Sequence, residues 1–270
     1  MDLKLNFIGL NVSNFAASLH FYTAVLGMNA KNPKPDWAFL ETTGMTLELF
    51  SGGMAPTPDR AWGQGQAVRP SIQVADLPGT IAALRRKGVQ FTSDIERTAA
   101  GEQIEFITPE RIHWTLAHAP AYPFSTSLHR PHIGWVELKV YHLAEQRAFY
   151  SKVMGLQPEE GEDGQVVLRQ GTGEPHLFLE TGGQLAAAWQ VNQNFLQPSP
   201  PFVISFETSN IEQAATLLKS HKVPIVVDVT RREWGGTDLL IADVDGNPIQ
   251  VVQYGTSQKA KPAIDPESSR

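Results

Sequence analysis

The sequence predicts an α+β protein built from four copies of one βαβββ module. Three features predict this. Segments of alternating apolar residues are each followed by a capped helix pattern and then by shorter strand patterns. The segment 21–27 (FYTAVLG) recurs as 149–155 (FYSKVMG), at an offset of 128 residues. A Gly-Asn turn at 246–247, followed by alternating apolar residues, predicts the entry to a last hairpin strand.

The N-terminal half contains modules one and two. Asn14 and Asp76 are suited to cap helices that end at Gly27 and Gly88, because a short polar side chain satisfies free N–H groups and glycine ends a helix easily. The strand patterns of these modules, in order, cover residues 5–12, 37–41, 46–50, 68–74, 94–97, 103–107 and 112–117. A hairpin is expected around 42–44, and a Gly/Pro-rich connection covers 52–66.

The C-terminal half contains modules three and four, with helices predicted at 143–154 and 211–220. Strands are expected at 133–140, 165–168, 176–180 and 202–208 and through residue 252, and a connector at 184–201 has a possible short helix at 186–189. We therefore assign residues 1–118 to a first domain, 119–130 to a linker, 131–255 to a second domain and 256–270 to a flexible tail. Whether module one pairs with module two or with module four stays open.

Composition narrows the class of partner. The formal net charge of -6 and the pI near 5.8 argue against nucleic-acid or anionic-membrane binding, which needs clustered Lys and Arg. The chain has no cysteine, so disulfides, thiolate metal ligands and a cysteine nucleophile are excluded. No run of residues has the length of a membrane span. We expect a cytoplasmic protein, monomeric or homodimeric, whose partner is a small organic molecule.

The repeated Phe-Tyr helix and the closing Asp245-Gly246-Asn247-Pro248 turn carry a resemblance to a known family. Over residues 4–254 the pattern resembles the vicinal oxygen chelate superfamily, which includes glyoxalase I, bleomycin-resistance proteins and extradiol dioxygenases. The resemblance implies modules paired into two domains, with curled mixed sheets around concave cavities. It says less about function, because one fold hosts many activities.

Enzymes of this superfamily hold a divalent metal with His at the head of a module's first strand and Glu in its last strand. The corresponding head positions here are Phe7, Arg69, Trp135 and Val203, and the last-strand positions are Glu48, Thr115, Phe178 and Gln250. Only one carboxylate remains among these eight positions. One donor is too few for a catalytic metal, so we predict no metal and no cofactor.

Two histidines lie near these positions. His113 and His176 share a strand face with Thr115 and Phe178, because residues two apart point to the same side. A lone imidazole is more often a hydrogen-bonding residue than a metal ligand. We read both as binding-site or structural residues.

The period of two sorts each first strand into a helix-facing apolar row and a cavity-facing mixed row. The cavity-facing row has the following members: Phe7, Gly9, Asn11, Arg69, Ser71, Gln73, Trp135, Glu137, Lys139, Val203, Ser205 and Glu207. Polar residues on a concave face indicate a wet pocket, and simple solvent exposure of an open sheet is the alternative.

In the N-terminal half we predict an ion pair between Arg69 and Glu48, because a guanidinium compensates a carboxylate where a metal would lie. Arg69 then either anchors an acidic ligand or simply fills the site. In the C-terminal half, Trp135, Phe178 and Gln250 suggest a slot for a flat molecule, and a collapsed, ring-filled core is the alternative.

One residue is a candidate for a catalytic role. Glu137 is nominated as a general base, although Glu137 and Lys139 could instead pair with each other. The leading function is a metal-independent binder that sequesters an aromatic or hydrophobic compound. The alternatives are a lyase or ring-cleaving dioxygenase with an unrecognised metal site, and a protein-interaction module that uses connectors containing Trp62 and Trp189.

Overall fold

The structure is a computed structural model of the 270-residue chain. It describes residues 2–31, 33–53, 67–122, 131–161, 164–171, 176–185, 190–192, 195–197 and 202–255. The expected short helix at 186–189, the tail at 256–270, residues 54–66 of the first connection and residues 123–130 of the linker lie outside this part.

Module one combines five strands with one helix. Its strands are β1 (Lys4–Val12), β2 (Asn29–Lys31), β3 (Trp37–Glu41), β4 (Thr43–Gly44) and β5 (Thr46–Ser51). Helix α1 (Phe15–His20) begins where the Asn14 side chain accepts a hydrogen bond from Ala17 N, and it continues into a π-helical turn at Phe21–Val25. Gly27 ends it with a φ of 80°, which glycine adopts without strain.

Module two has five strands around helix α2 (Leu77–Arg86). The strands are β6 (Val68–Gln73), β7 (Gln90–Phe91), β8 (Glu96–Thr98), β9 (Gly101–Ile107) and β10 (His113–His118). Asp76 caps α2 by accepting from Gly79 N at 2.9 Å. The predicted helix and its cap are confirmed.

Module three repeats module one. It contains β11 (His132–Val140), helix α3 (Leu143–Ala148), a second π-helical turn at Phe149–Val153, β12 (Gln157–Glu160), β13 (Val166–Arg169) and β14 (His176–Thr181). Two short connector strands, β15 (Gln190–Asn192) and β16 (Phe195–Gln197), pair only with each other among the described residues. The repeat therefore extends to the rare π-helical turn.

Module four completes the chain. It contains β17 (Phe202–Glu207), helix α4 (Ile211–Ser220), β18 (Ile225–Arg231), β19 (Thr237–Ala242) and β20 (Pro248–Gln253). The turn before β20 is tied by Asp243, whose side chain accepts from the backbone N–H groups of Asp245 and Asn247 at 2.9 and 2.8 Å. The predicted α+β fold of four such modules is confirmed.

The modules combine across the two halves of the chain. The first sheet has the order β18-β19-β20-β17-β1-β5-β3-β2, and the second has the path β12-β13-β14-β11-β6-β10-β9-β7. Module one thus shares a sheet with module four, and module two with module three. Antiparallel β1–β17 and β11–β6 pairs join the modules at the centre of each sheet.

One core lies on the helix side of both sheets. The helix-facing residues predicted from the alternation are buried or packed against this core: Leu10, Val12, Ile72, Val74, Val136, Leu138, Val140, Ile204 and Phe206. Burial of these side chains is the main stabilising term of such a fold. It leaves the opposite, concave face of each sheet to the polar and aromatic rows.

Carboxylates in the last hairpins of modules two and four hold the helix entries of modules one and three. Glu110 accepts from the backbone N–H of Ser13 at 3.1 Å and of Asn14 at 2.8 Å. Asp245 accepts from Tyr141 N at 2.7 Å and from His142 Nδ1 at the same distance. Each contact joins the two sheets, because the hairpin and the helix belong to different ones.

The repeated Phe-Tyr pair has a structural role. Tyr150 is buried, and its hydroxyl donates to Asp243 Oδ2 at 3.3 Å, in the closing turn of module four. Burial, and then the Asp243 carboxylate, raise the pKa of Tyr150, so the hydroxyl stays a donor.

Within the described residues, no helix is both long and apolar enough to cross a bilayer.

Candidate functional site

The concave faces of the two sheets are built on the same framework. At the centre of the first, Gly9 is the cross-strand partner of Glu48 on β5 and Val203 on β17. At the centre of the second, Glu137 is the partner of Phe178 on β14 and Arg69 on β6. We call these the first and the second concave face. The two faces differ in the side chains at equivalent positions.

The second concave face is filled by its own side chains. Arg69, only 5% exposed, donates from Nε to Glu137 Oε2 at 2.7 Å, and its terminal nitrogens form ion pairs with Glu137 and Glu105. Trp135 Nε1 donates to the other oxygen of Glu137 at 2.9 Å. Both carboxylate oxygens of the nominated base are engaged, and the buried guanidinium is compensated as a buried charge must be.

An aromatic cluster closes the same face. The rings of Trp135 and Phe178 lie 5.8 Å apart, and Tyr122 packs over both, at 6.0 and 5.7 Å. Arg169 lies 5.2 Å above the Tyr122 ring, and Gln73 Nε2 donates to the Tyr122 carbonyl at 3.1 Å. Of the two readings of Trp135 and Phe178, the ring-filled core agrees with these contacts.

Two pairings expected from the sequence are wrong. Arg69 pairs with Glu137 and Glu105, whereas Glu48 lies on β5 of the other sheet. Gln250 does not stand beside Trp135 and Phe178, because β20 also belongs to the first sheet. Both errors have one cause. Module one shares a sheet with module four, so residues that were assigned to the same cavity lie on different concave faces.

The remaining predicted residues are divided between the faces. Thr115 and Gln73 are buried on the second face, and His113 Nδ1 lies 3.8 Å from Glu105 Oε2. His176 is buried beside Arg169, with 3.3 Å between Nε2 and Nη1, and burial followed by Arg169 lowers its pKa to about 4. Lys139 lies farther out, where its charge opposes the burial that raises the pKa of Glu180.

The first concave face has smaller side chains at its centre than the second. Glycine and valine stand at Gly9 and Val203, where the second face has Glu137 and Arg69. Four side chains of this face are partly exposed, unlike the buried centre of the other: Asn11, Val203, Glu207 and Gln250. The Phe50 ring takes part of the space that these smaller side chains leave, because it would lie 3.4 Å from a Cβ at Gly9.

Glu48 is the principal polar group of the first face. It is 8% exposed, and burial raises its pKa to about 7, while a hydrogen bond from the Trp37 side chain opposes the rise. Phe39 is its cross-strand partner, and Phe50 is the partner of Trp37 on the same face. A carboxyl group surrounded by rings changes its charge near neutral pH.

A saturated polar network lies at the module-four end of this face. Ser205 Oγ donates to Gln250 Oε1 at 3.1 Å, Gln250 Nε2 donates to Asp238 at 2.5 Å, and Arg232 Nε donates to Asp238 at 2.6 Å. The neighbouring Leu240 and Val227 form a small buried apolar cluster. Glu207 accepts from Asn6 Nδ2 at 2.7 Å.

Sequence reasoning missed Tyr254, Tyr122, Glu105 and Asp238. Tyr254 packs 6.4 Å from Phe7 and 5.9 Å from Trp234, and burial, then Glu48 and Glu207, raise its pKa. The two tyrosines follow strand ends, where alternation gives no signal. Glu105 lies within β9 and Asp238 within β19, and the same alternation applied to these two strands could have found them.

The donor set of neither face fits a divalent metal. Among the described residues, no group of three or more His, Asp or Glu side chains could hold one. On the first face the amide of Gln250 and the hydroxyl of Ser205, at the centre of the sheet beside Glu48, already bond each other. On the second face the Arg69 guanidinium lies between the carboxylates. Metals of this class need three or four protein donors.

Paired βαβββ modules around two concave faces define a protein of the vicinal oxygen chelate type. A sequence model of the Glyoxalase/Bleomycin resistance protein/Dioxygenase superfamily matches residues 4–116 and 132–251. The chain therefore belongs to this superfamily. No curated protein sequence matches it.

Solved structures agree at the level of the fold. A putative dioxygenase from Bacillus subtilis superposes with a TM-score of 0.69 at 14% identity, over 93% of this chain and 84% of that one. Glyoxalase I from Zea mays gives 0.66 at 16% identity, over 93% and 92%. At such identities the similarity concerns the fold, and function depends on the site.

Proposed function

We propose that this chain is a metal-independent binding protein for a small aromatic or hydrophobic molecule, and that the first concave face is its site. The carrying observation is the contrast between two faces on one framework. The second face compensates its buried Arg69 with Glu137 and Glu105 and packs its own rings. The first keeps partly exposed side chains around one buried carboxyl group.

The lining of the first face suits a compact organic ligand. Rings of Phe7, Phe39, Phe50, Trp37 and Tyr254 supply contact area, and a few polar groups supply orientation. Binding sites for small molecules combine these two elements. Sequestration needs no reacting group, which agrees with a donor set that does not fit a metal.

Ligand-induced stabilisation tests the proposal. Thermal unfolding is followed with a panel of bicyclic aromatic compounds of positive, zero and negative charge, each with and without EDTA. At a concentration 100 times the Kd, a ligand stabilises by about 2.7 kcal/mol, so a true ligand raises the Tm measurably. EDTA should leave this shift unchanged.

Matched variants locate the site. A Cβ at Gly9 would lie 3.4 Å from the Phe50 ring, so the larger Gly9→Val side chain must take space from the first face, and valine suits a strand. Ser71→Ala changes the buried equivalent of Ser205 on the second face. Gly9→Val should abolish the ligand-dependent shift and Ser71→Ala should keep it.

A stoichiometric divalent metal, removed by chelator together with an activity, would instead support a lyase or dioxygenase.

A further inference from the structure

Glu48 is a nearly buried carboxyl group that forms no ion pair with any described residue. Burial raises its pKa, and a hydrogen bond from the Trp37 side chain opposes that rise. A buried carboxylate without a cation is costly. In the second sheet the equivalent region contains Arg69, which supplies that cation. The first face lacks the counterpart because Val203 stands at the position of Arg69.

The rings around Glu48 extend towards the surface. Phe7 and Tyr254 are in contact, and Tyr254 continues to Trp234, which is 39% exposed. Trp37 and Phe39 lie on the other side of the carboxyl group, on β3. Aromatic faces attract ammonium groups and also stack on aromatic ligands. The surroundings of Glu48 therefore suit a positive charge attached to a flat apolar body.

The other charged groups of this face leave its centre acidic. Glu207 on β17 is the cross-strand partner of Lys4, and both Glu48 and Glu207 act on the Tyr254 hydroxyl. Arg232 is held by Asp238 at the module-four end. Before β3, the Lys34 ammonium lies 5.8 Å from the Trp37 ring centroid at the exposed rim.

We propose that the ligand of the first concave face is a protonated amine with an aromatic body, whose ammonium group pairs with the Glu48 carboxylate. This inference rests on the proposed function and adds the ligand's charge to it. The ammonium group replaces the guanidinium that the second face supplies internally. The rings of Tyr254, Phe7 and Trp37 contact the aromatic body.

Three probes of one shape and different charge test this inference: naphthylmethylamine, naphthylmethanol and naphthoate. Affinities for the full-length protein are measured by calorimetry at pH 8. A charge-assisted hydrogen bond contributes enough for the amine to bind at least about ten-fold more tightly than the alcohol. Naphthoate should bind most weakly, because it places a second anion beside Glu48.

Two isosteric variants separate charge from shape. Glu48→Gln should remove the advantage of the amine while the affinity for the alcohol stays the same. Glu212→Gln, at an exposed position of α4, should change neither affinity. In the native protein the affinity for the amine should also rise from pH 6 to pH 8, as Glu48 loses its proton, and this rise should be absent in Glu48→Gln.

The outcomes distinguish the two levels of proposal. If the alcohol binds at the first face as tightly as the amine, the amine inference is rejected and the proposed binding function stands. If no member of the wider panel binds, both are rejected. The comparison of probes on the native protein is decisive even if Glu48→Gln fails to fold.

Discussion

Arg69 Nε lies 2.7 Å from Glu137 Oε2 at the centre of the second sheet, on strands contributed by modules two and three. Both side chains are buried, and Glu105 and Trp135 complete their hydrogen bonds. In the first sheet Gly9 and Val203 stand at the equivalent positions, so this ion pair has no counterpart there. The Arg69–Glu137 ion pair therefore fills the centre of the second face, and its two opposite charges compensate each other.

Arg69→Ala should destabilise the protein strongly. Removing one partner of a buried ion pair typically costs about 3–5 kcal/mol, because the other charge stays buried without compensation. Urea unfolding measures the loss. Added guanidinium at low, non-denaturing concentration should recover part of the Tm of the variant, since it can enter the vacated space. Arg97→Ala, which breaks an exposed pair with Glu102, is the control and should cost less than about 1 kcal/mol. Equal losses in the two variants would contradict the assignment.

Glu48→Gln should become more stable relative to the native protein as the pH rises. Burial raises the pKa of Glu48 from 4.5 to about 7 in the folded state. Between these values the folded protein keeps a proton that the unfolded chain releases, so native stability falls as pH increases. The difference in unfolding free energy should grow by up to about 3 kcal/mol between pH 4 and pH 8. Urea titrations at several pH values measure it, and a flat difference would argue against a strongly buried carboxyl group.

Glu110→Ala should loosen the start of α1 and the contact between the sheets. The carboxylate accepts from Ser13 N and Asn14 N, and hydrogen bonds to charged groups contribute about 1.5–3 kcal/mol each. We expect a loss of about 3 kcal/mol, the lower end for two such bonds, and faster hydrogen exchange at these two amides. Glu96→Ala, at an exposed position of β8, should leave exchange in α1 unchanged. Unchanged exchange in Glu110→Ala would show that the Glu110 contact is not needed to hold the start of α1.

Gly134→Ala should disturb the second concave face, whereas Gly9→Ala should be tolerated. A Cβ at Gly134 would lie 2.2 Å from Gln73 Oε1, so the Gln73 side chain must move and release the Tyr122 carbonyl. Such overpacking costs about 1–3 kcal/mol. The nearest contact at Gly9 is 3.4 Å, an ordinary packing distance. Urea unfolding and near-ultraviolet circular dichroism of the two variants provide the comparison.

Local pattern was sufficient for the elements and the repeat. Alternation placed the central strands within one or two residues and separated the helix-facing from the concave row. The cap residues Asn14 and Asp76 marked the starts of α1 and α2. The short strands β2, β7 and β12 were not predicted, because two to four edge residues carry too little periodicity.

The composition of each face could not be predicted in the same way. The choice between β6 and β17 as the partner of β1 depends on contacts about 60 or 200 residues apart in sequence, which no local pattern specifies. Arg69 and Glu48 both lie on a concave face, as predicted. They lie in different sheets, however, and not in one shared site. Tyr122 and Tyr254 lie beyond the periodic segments, so their packing over the two faces became visible only in three dimensions.

The exchange of modules between halves has a consequence for dissection of the chain. A cut within 123–130 would give two fragments, and each would carry one half of both sheets with the pairing edges of β1 and β6, or of β11 and β17, left bare. Neither fragment would be a separable domain, and bare central edges invite self-association. Co-expressed fragments should instead recombine into a complex with the topology of the intact chain, an arrangement in which two short polypeptides complete each other's binding surfaces.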